Sequence, residues 1–145
     1  MNHLELRFSA LLENVGFART SVASFVSSLN PTIDEIQEIK TIISEAVSNA
    51  IIHGYRLNGS RDVFLKVNIK KRNIEIIVQD YGVGIKNIKE AMEISFSTEK
   101  ENEHAGMGFT IMQTLTDNFE VKSYPGLGTK IIMTKELTPL GEEVF

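Results

Sequence analysis

Ser44-Glu45-Ala46-Val47-Ser48-Asn49-Ala50 is the stretch on which the fold turns. Around it Ile36, Ile39, Ile43, Ala46, Val47 and Ala50 recur three and four residues apart, the spacing of one buried helix face. Asn30-Pro31 breaks the chain ahead of this run, and Thr32 precedes Glu35 by three residues, as in a capping box. Gly54 supplies a stop. The pattern predicts a helix from Ile33 to His53. Glu45 and Asn49 lie one turn apart on one face, to the side of the apolar arc. A carboxylate and a carboxamide placed there can border a cleft while the helix stays packed. The plainer alternative is two polar residues on a solvated face. Ile42 and Ile52, near the same side, weigh against it.

Working outward, Leu4, Leu6 and Phe8 alternate with Glu5 and Arg7, which predicts a strand with one buried face. Val15, Ala18, Val22, Phe25, Val26 and Leu29 have helical spacing, from about Asn14 to Leu29, and Arg19 rides on this helix. By spacing alone Arg19 reads as a solvated surface residue. On the other side, Val63 to Ile69 and Ile74 to Val78 alternate around Lys71-Arg72-Asn73, which predicts a β-hairpin. Asp80 closes its second strand, and Gly82 and Gly84 follow. A short irregular helix is expected over Ile85 to Glu93, then a polar loop from Glu93 to Ala105. Gly106-Met107-Gly108 is expected to end that loop and begin a helix running to about Thr116. Phe119 and Val121 open another strand, Pro125-Gly126-Leu127-Gly128 turns the chain, and Thr129 to Lys135 is the last strand. The tail from Glu136 carries no clear element. The expected fold class is therefore α/β: a two-layer sandwich of a mixed, mainly antiparallel sheet with helices on one face.

The length, 145 residues, suits a single domain with a hydrophobic core. The absence of cysteine excludes disulfides and thiolate metal sites. No apolar run approaches the ~18 residues of a membrane span, and the first residues lack the pattern of a signal peptide, so a cytoplasmic location without membrane partners is expected. A net charge of −4 argues against general nucleic-acid binding.

A nucleotide site needs an acceptor for the base, a cation for the phosphates and backbone donors. Asp80 at a strand end can accept from an exocyclic amine such as that of adenine, although Asp before Gly is also an ordinary turn. Asn49 offers an oxygen to Mg²⁺. Free amides at a helix start would make Gly106, Met107 and Gly108 a phosphate cradle. Glu45, one turn before Asn49, would stand near the terminal phosphate as a general base. His53 is either a further polar contact or a favourable residue at a helix C-terminus.

These pieces together resemble a known family. Glu45 to Tyr55 (Glu-Ala-Val-Ser-Asn-Ala-Ile-Ile-His-Gly-Tyr), Asp80 to Ile85 (Asp-Tyr-Gly-Val-Gly-Ile), Gly106 to Phe109 (Gly-Met-Gly-Phe) and Gly126 to Thr129 (Gly-Leu-Gly-Thr) look like the N box and glycine boxes of the GHKL ATPase/kinase superfamily. With Phe17-Ala18-Arg19 and the short length, the chain is most similar to its anti-sigma-factor serine kinases, of the sporulation type that acts on sigma-F. The resemblance spans nearly the whole chain. It implies a Bergerat-type ATP-binding fold, with ATP and Mg²⁺ as cofactors and Glu45 as general base. Asn49 would be the metal ligand, and Asp80, supported by Thr129, the adenine contact. Gly82 and Gly84 would shape the base end, and Gly106, Met107, Gly108 and Phe109 the phosphate end. Ser95 to Ala105 would form a lid with Thr98 and Lys100 as contacts, although Glu103-His104-Ala105 is less basic than the family pattern. Arg19 would contact the protein partners. Those implied are a sigma factor, an anti-anti-sigma protein phosphorylated on serine, and a second copy of the chain. A stress-response-type anti-sigma kinase, an ATPase and a nucleotide-gated binding module share the same boxes.

Overall fold

The computed structural model describes residues 1–92 and 100–141, with backbone alone for 100–106. Its elements are β1 (Asn2–Ser9), α1 (Asn14–Val26), α2 (Ile33–Asn49), β2 (Asp62–Lys70), β3 (Asn73–Asp80), α3 (Ile88–Met92), α4 (Lys100–Leu115), β4 (Asn118–Tyr124) and β5 (Gly128–Glu136). The strands form one sheet in the order β1-β2-β3-β5-β4. Every pairing among the described residues is antiparallel, so the sheet expected to be mixed is uniform. Turns join β2 to β3 and β4 to β5; β1 reaches β2 through α1 and α2, and β5 returns beside β3 after α3, α4 and β4.

The alternation read in the sequence becomes a one-sided sheet. Leu6, Leu65, Val78, Ile131 and Val121 face one another across all five strands. The three central members of that row are buried beneath the helices. The row on the other face is Glu5, Lys66, Ile77, Ile132 and Glu120, half-buried at its centre and exposed at its ends. The helical layer is built on α2, which packs against α1 on one side and α4 on the other. Its Ile39, Ile42, Ile43, Ala46 and Val47 are fully buried.

Local chemistry sets the ends of α2. The Thr32 hydroxyl accepts from the Glu35 N–H (3.1 Å) while the Glu35 carboxylate accepts from the Thr32 N–H (2.9 Å), the capping box expected from the spacing. After Asn49 the helix widens into a π-helical turn, Ala50–Gly54, in which the Tyr55 N–H donates to the Ala50 carbonyl. Such turns often lie beside functional sites. The helix read as continuing to His53 therefore continues with a changed pitch.

One expectation is corrected. The polar stretch before Gly106 is helical from Lys100 onward, so only part of the expected loop remains, and residues 93–99 lie outside the described residues. Lys, Glu and Ala favour helix without any apolar periodicity, and periodicity was the only signal read there. Beyond Glu136, which ends β5, residues 137–141 carry no further element, as expected, yet they are bonded to the rest of the fold. Leu137 is buried, its N–H donates to the Arg72 carbonyl, and the Thr138 N–H donates to the Glu35 carboxylate (2.8 Å).

Candidate functional site

The last turns of α2 carry the candidate residues Glu45 and Asn49. Glu45 and Asn49 do share a face, and α4 crosses that face with Gly108. A Cβ added to Gly108 would lie 3.0 Å from Glu45 Oε2, 3.5 Å from Asn49 Nδ2 and 3.6 Å from Asn49 Oδ1. A glycine there lets the α4 backbone pass close to both polar groups. Burial pushes the Glu45 carboxyl above its ordinary value of 4.5, which strengthens it as a base. Asn49 Nδ2 is shielded from solvent and has no hydrogen-bond partner among the described residues. A buried polar group without a partner is costly.

Asp80 lies beyond the C-terminal end of α2, against Gly54 of the π-helical turn. It is the last residue of β3 and 4% exposed. Burial raises its carboxyl to about 6, against the lowering effects of the Gly82 and Thr129 N–H groups and the Arg61 charge. Its Oδ1 accepts from the Gly82 N–H (2.9 Å). Gly54 presses against the same carboxyl: a Cβ on Gly54 would stand 2.7 Å from Asp80 Cγ. The Val83 N–H donates to the Gly54 carbonyl (2.9 Å), and a Cβ on Gly82 would collide with that carbonyl at 1.9 Å. The glycine at 82 thus serves a close approach of two backbones. Gly84 adopts φ +73°, the left-handed conformation that glycine takes without strain. From Glu45 to Gly54 is nine residues, about 13 Å along a helix axis. A nucleoside triphosphate is of comparable length, so both ends of one could be held by one helix.

Thr129 pairs with Asp80 across β3 and β5 and is 8% exposed. Its hydroxyl lies 2.7 Å from the Ser123 hydroxyl, which also accepts from the Ile85 N–H (2.7 Å). The remaining expected residues divide. Gly106 lies inside α4 rather than at a loop–helix junction, as do Met107, Gly108 and Phe109. The geometry of free amides at a helix start is therefore absent there. Met107 is exposed, whereas the Phe109 ring is buried and tilted against Phe119 (6.0 Å), which anchors α4 to the sheet. Lys100 begins α4, and its side chain lies outside the described residues, as does all of Thr98. Arg19 is exposed on α1 and donates to the Ser44 hydroxyl (3.3 Å), the residue before Glu45. His53 sits half-buried in the π-helical turn.

The sequence reading missed Ser123, Tyr55 and Arg61. Ser123 is an ordinary strand serine with no local signal. Tyr55 stood at the end of the Glu45–Tyr55 string but was given no role. Arg61 sat in a polar turn and reaches back to donate to the Tyr81 carbonyl (2.8 Å).

The residues present fit Mg²⁺ and a nucleotide. No group of three or more His, Cys, Asp or Glu capable of holding a metal occurs among the described residues. A cation at Asn49 would therefore draw its other ligands from phosphate and water, the habit of Mg²⁺. The shielded, unpartnered Asn49 amide and the gap kept by Gly108 are what such a group would use. Turned over, that amide directs its oxygen to the same place.

Residues 8–135 match the family described as histidine kinase-like ATPase domain. In the particular, the chain is 45% identical over 137 residues to Anti-sigma F factor of Bacillus licheniformis, covering 94% of each chain. It is 48% identical over 136 residues to Anti-sigma F factor of Clostridium perfringens, covering 94% of this chain and 97% of the relative. Among solved structures, the RsbU and RsbW domains of Rv1364c from Mycobacterium tuberculosis superpose with a TM-score of 0.68 at 18% identity. That match covers 94% of this chain and 32% of the longer one. The catalytic domain of histidine kinase ThkA superposes with a TM-score of 0.56 at 14% identity, covering 94% of this chain and 97% of that one. These two likenesses speak to the fold alone. The chain belongs to the histidine kinase-like ATPase domain family, in the branch of the anti-sigma F factors. No helix among the described residues is long and apolar enough to cross a membrane.

Proposed function

We propose that this protein is a cytoplasmic anti-sigma factor that holds a sporulation sigma factor inactive. It is also a Mg-ATP-dependent kinase that phosphorylates a serine of an anti-anti-sigma partner, and it works as a homodimer built from a single domain. The observation that carries the reading is the convergence of Glu45 and Asn49 beneath Gly108, with Asp80 against Gly54 of the π-helical turn that follows. The 45% and 48% identity to proteins named Anti-sigma F factor supports the regulatory half of it.

In this reading Asp80 meets the adenine edge, with the Gly82 N–H holding its Oδ1, Gly82 and Gly84 shaping that end and Thr129 behind Asp80. Asn49 holds Mg²⁺, which supplies neutralising charge for the phosphate oxygens. Glu45 accepts the proton of the acceptor serine hydroxyl as its oxygen bonds to the terminal phosphorus and the bond to ADP breaks. The raised Glu45 carboxyl means that transfer falls as pH drops through a value above 4.5. Gly106 to Phe109 carry α4 over the phosphates, and Thr98 and Lys100 are further phosphate contacts. Arg19, at the rim beside Ser44, faces the protein partners.

The deciding experiment follows labelled phosphate from Mg-ATP to a purified anti-anti-sigma protein. Wild type transfers to one serine, and Glu45→Gln loses about 10²–10⁴-fold in rate while still binding ATP. Undiminished transfer by Glu45→Gln refutes its role. Transfer by neither protein refutes the kinase.

A further inference from the structure

The two peptide units that flank Tyr81 are each held by a side chain. The Tyr81 N–H donates to the Tyr55 hydroxyl (2.8 Å), and the Tyr81 carbonyl accepts from the Arg61 guanidinium (2.8 Å). Tyr55 and Arg61 are themselves joined, since the guanidinium lies over the Tyr55 ring at 5.1 Å. The Tyr55 hydroxyl also donates to the Asp62 carbonyl (2.6 Å), which ties the pair to the start of β2. The Tyr81 ring turns to the open face of the sheet, edge-on to Phe64 (5.5 Å, 86°). The intervening chain adopts left-handed backbone at Arg56 (φ 53°) and Leu57 (φ 64°). Two adjacent non-glycine residues in that region carry strain that the surrounding bonds must hold. Tyr55, Arg61, Tyr81 and Gly82 line an open crevice of about 270 Å³, so truncating one of these side chains admits water.

We infer that Tyr55 and Arg61 are positioning residues for the nucleotide base: by holding the two peptide units that flank Tyr81 they set the angle at which Asp80 meets its edge. This deepens the nucleotide reading above and rests on it. Neither residue is a reacting group. Arg61 has a second effect through charge. The groups acting on Asp80 are the Arg61 guanidinium, the Tyr55 phenol and the N–H groups of Gly82 and Thr129. Of these, Arg61 contributes the opposing formal charge that favours the ionised, accepting form of Asp80.

The test compares wild type with Tyr55→Phe, Arg61→Gln and Arg61→Lys, all as the full chain. ATP and GTP affinities are titrated across pH 5 to 8, and Asp80 itself is titrated by carboxyl carbon-13 resonance in the nucleotide-free protein. Tyr55→Phe, which loses the bonds to the Tyr81 N–H and the Asp62 carbonyl, and Arg61→Gln, which loses the bond to the Tyr81 carbonyl, are each expected to weaken ATP about tenfold and to narrow its preference over GTP. Arg61→Gln also moves the Asp80 midpoint upward from about 6, and the acid limb of ATP affinity moves with it. Arg61→Lys leaves the midpoint in place. A role confined to stability would lower the unfolding midpoint and shift neither titration. Unchanged ATP affinity in both Tyr55→Phe and Arg61→Gln, or an unmoved Asp80 midpoint in Arg61→Gln, overturns the assignment. If wild type binds no ATP at any pH, the nucleotide reading fails, and the Asp80 resonance still decides the effect of Arg61.

Discussion

Asp80 is a carboxylate that the fold keeps at a cost. Its ordinary value is 3.8, and burial raises it to about 6. Between those values the folded chain binds more protons than the unfolded one, so stability falls as pH rises from 3.8 to about 6. The shift sets the penalty above pH 6 at about 3 kcal/mol at most. Asp80→Asn removes it while keeping an acceptor for the Gly82 N–H. The variant should unfold at higher urea at pH 7 than wild type, by up to that amount, and lose selectivity for ATP over GTP. A variant less stable than wild type would show that Asp80 is held by contacts that an amide cannot replace. Gly108 makes a complementary case. Alanine there gains about 0.5–1 kcal/mol of helix propensity, and the nearest atom, Glu45 Oε2 at 3.0 Å, ends a flexible side chain. Stability should change little. The added methyl fills the gap over Glu45 and Asn49, so Gly108→Ala should weaken Mg-ATP binding about tenfold or more. Thermal unfolding together with calorimetric titration separates the two effects.

At the scale of elements, the N-terminus of α2 does more than start a helix. Burial alone would raise the Glu35 carboxyl. Bonds from Thr32 and Thr138, with the Arg72 charge, outweigh burial and hold it below 4.5. One carboxylate thus closes the capping box and fastens the tail after β5. Arg72 completes the fastening, donating to the carbonyls of Thr138 (2.7 Å) and Leu29 (2.6 Å). This stabilisation is complete above pH 4.5 and is lost as pH falls through the lower, folded value. Glu35→Gln turns one oxygen into a donor facing other donors, and should cost about 1–3 kcal/mol at neutral pH. Urea unfolding of both proteins near pH 7 and on the acid side of 4.5 checks it, since the gap should narrow in acid. The capping box was legible because its partners lie three residues apart. The bond from Thr138 to the same carboxylate was not, because it joins residues far apart in sequence.

At the scale of the molecule, a one-sided sheet leaves the helices to carry the chemistry. α1 presents Arg19 at the rim, bonded to Ser44 beside Glu45. Arg19→Ala should leave ATP affinity within about twofold, since an exposed side chain at 3.3 Å from a hydroxyl contributes little. It should weaken capture of sigma factor or anti-anti-sigma protein about tenfold or more. Titration with nucleotide and with each partner separates these, and a loss confined to nucleotide would move Arg19 into the nucleotide site.

Period-two and period-3.6 patterns were sufficient for the strands, for α1 and for α2, because each buries one face and its apolar residues must repeat at the element's own period. The Glu45–Asn49 spacing and the Asp80–Gly82–Gly84 run were likewise legible locally, since a helical turn and a strand end are local geometry. The sequence by itself therefore determined most of the elements, the one-sided sheet and the local spacing of the residues proposed for the site. Only the tertiary structure decided how these meet. It set Gly108 over Glu45 and Asn49, Gly54 against Asp80, and Tyr55 and Arg61 on the two peptide units that flank Tyr81. It also carried α4 back to Lys100, where no apolar period marks a helix. Those outcomes depend on close approach between segments distant in the chain, and packing distances leave no periodic trace in a sequence.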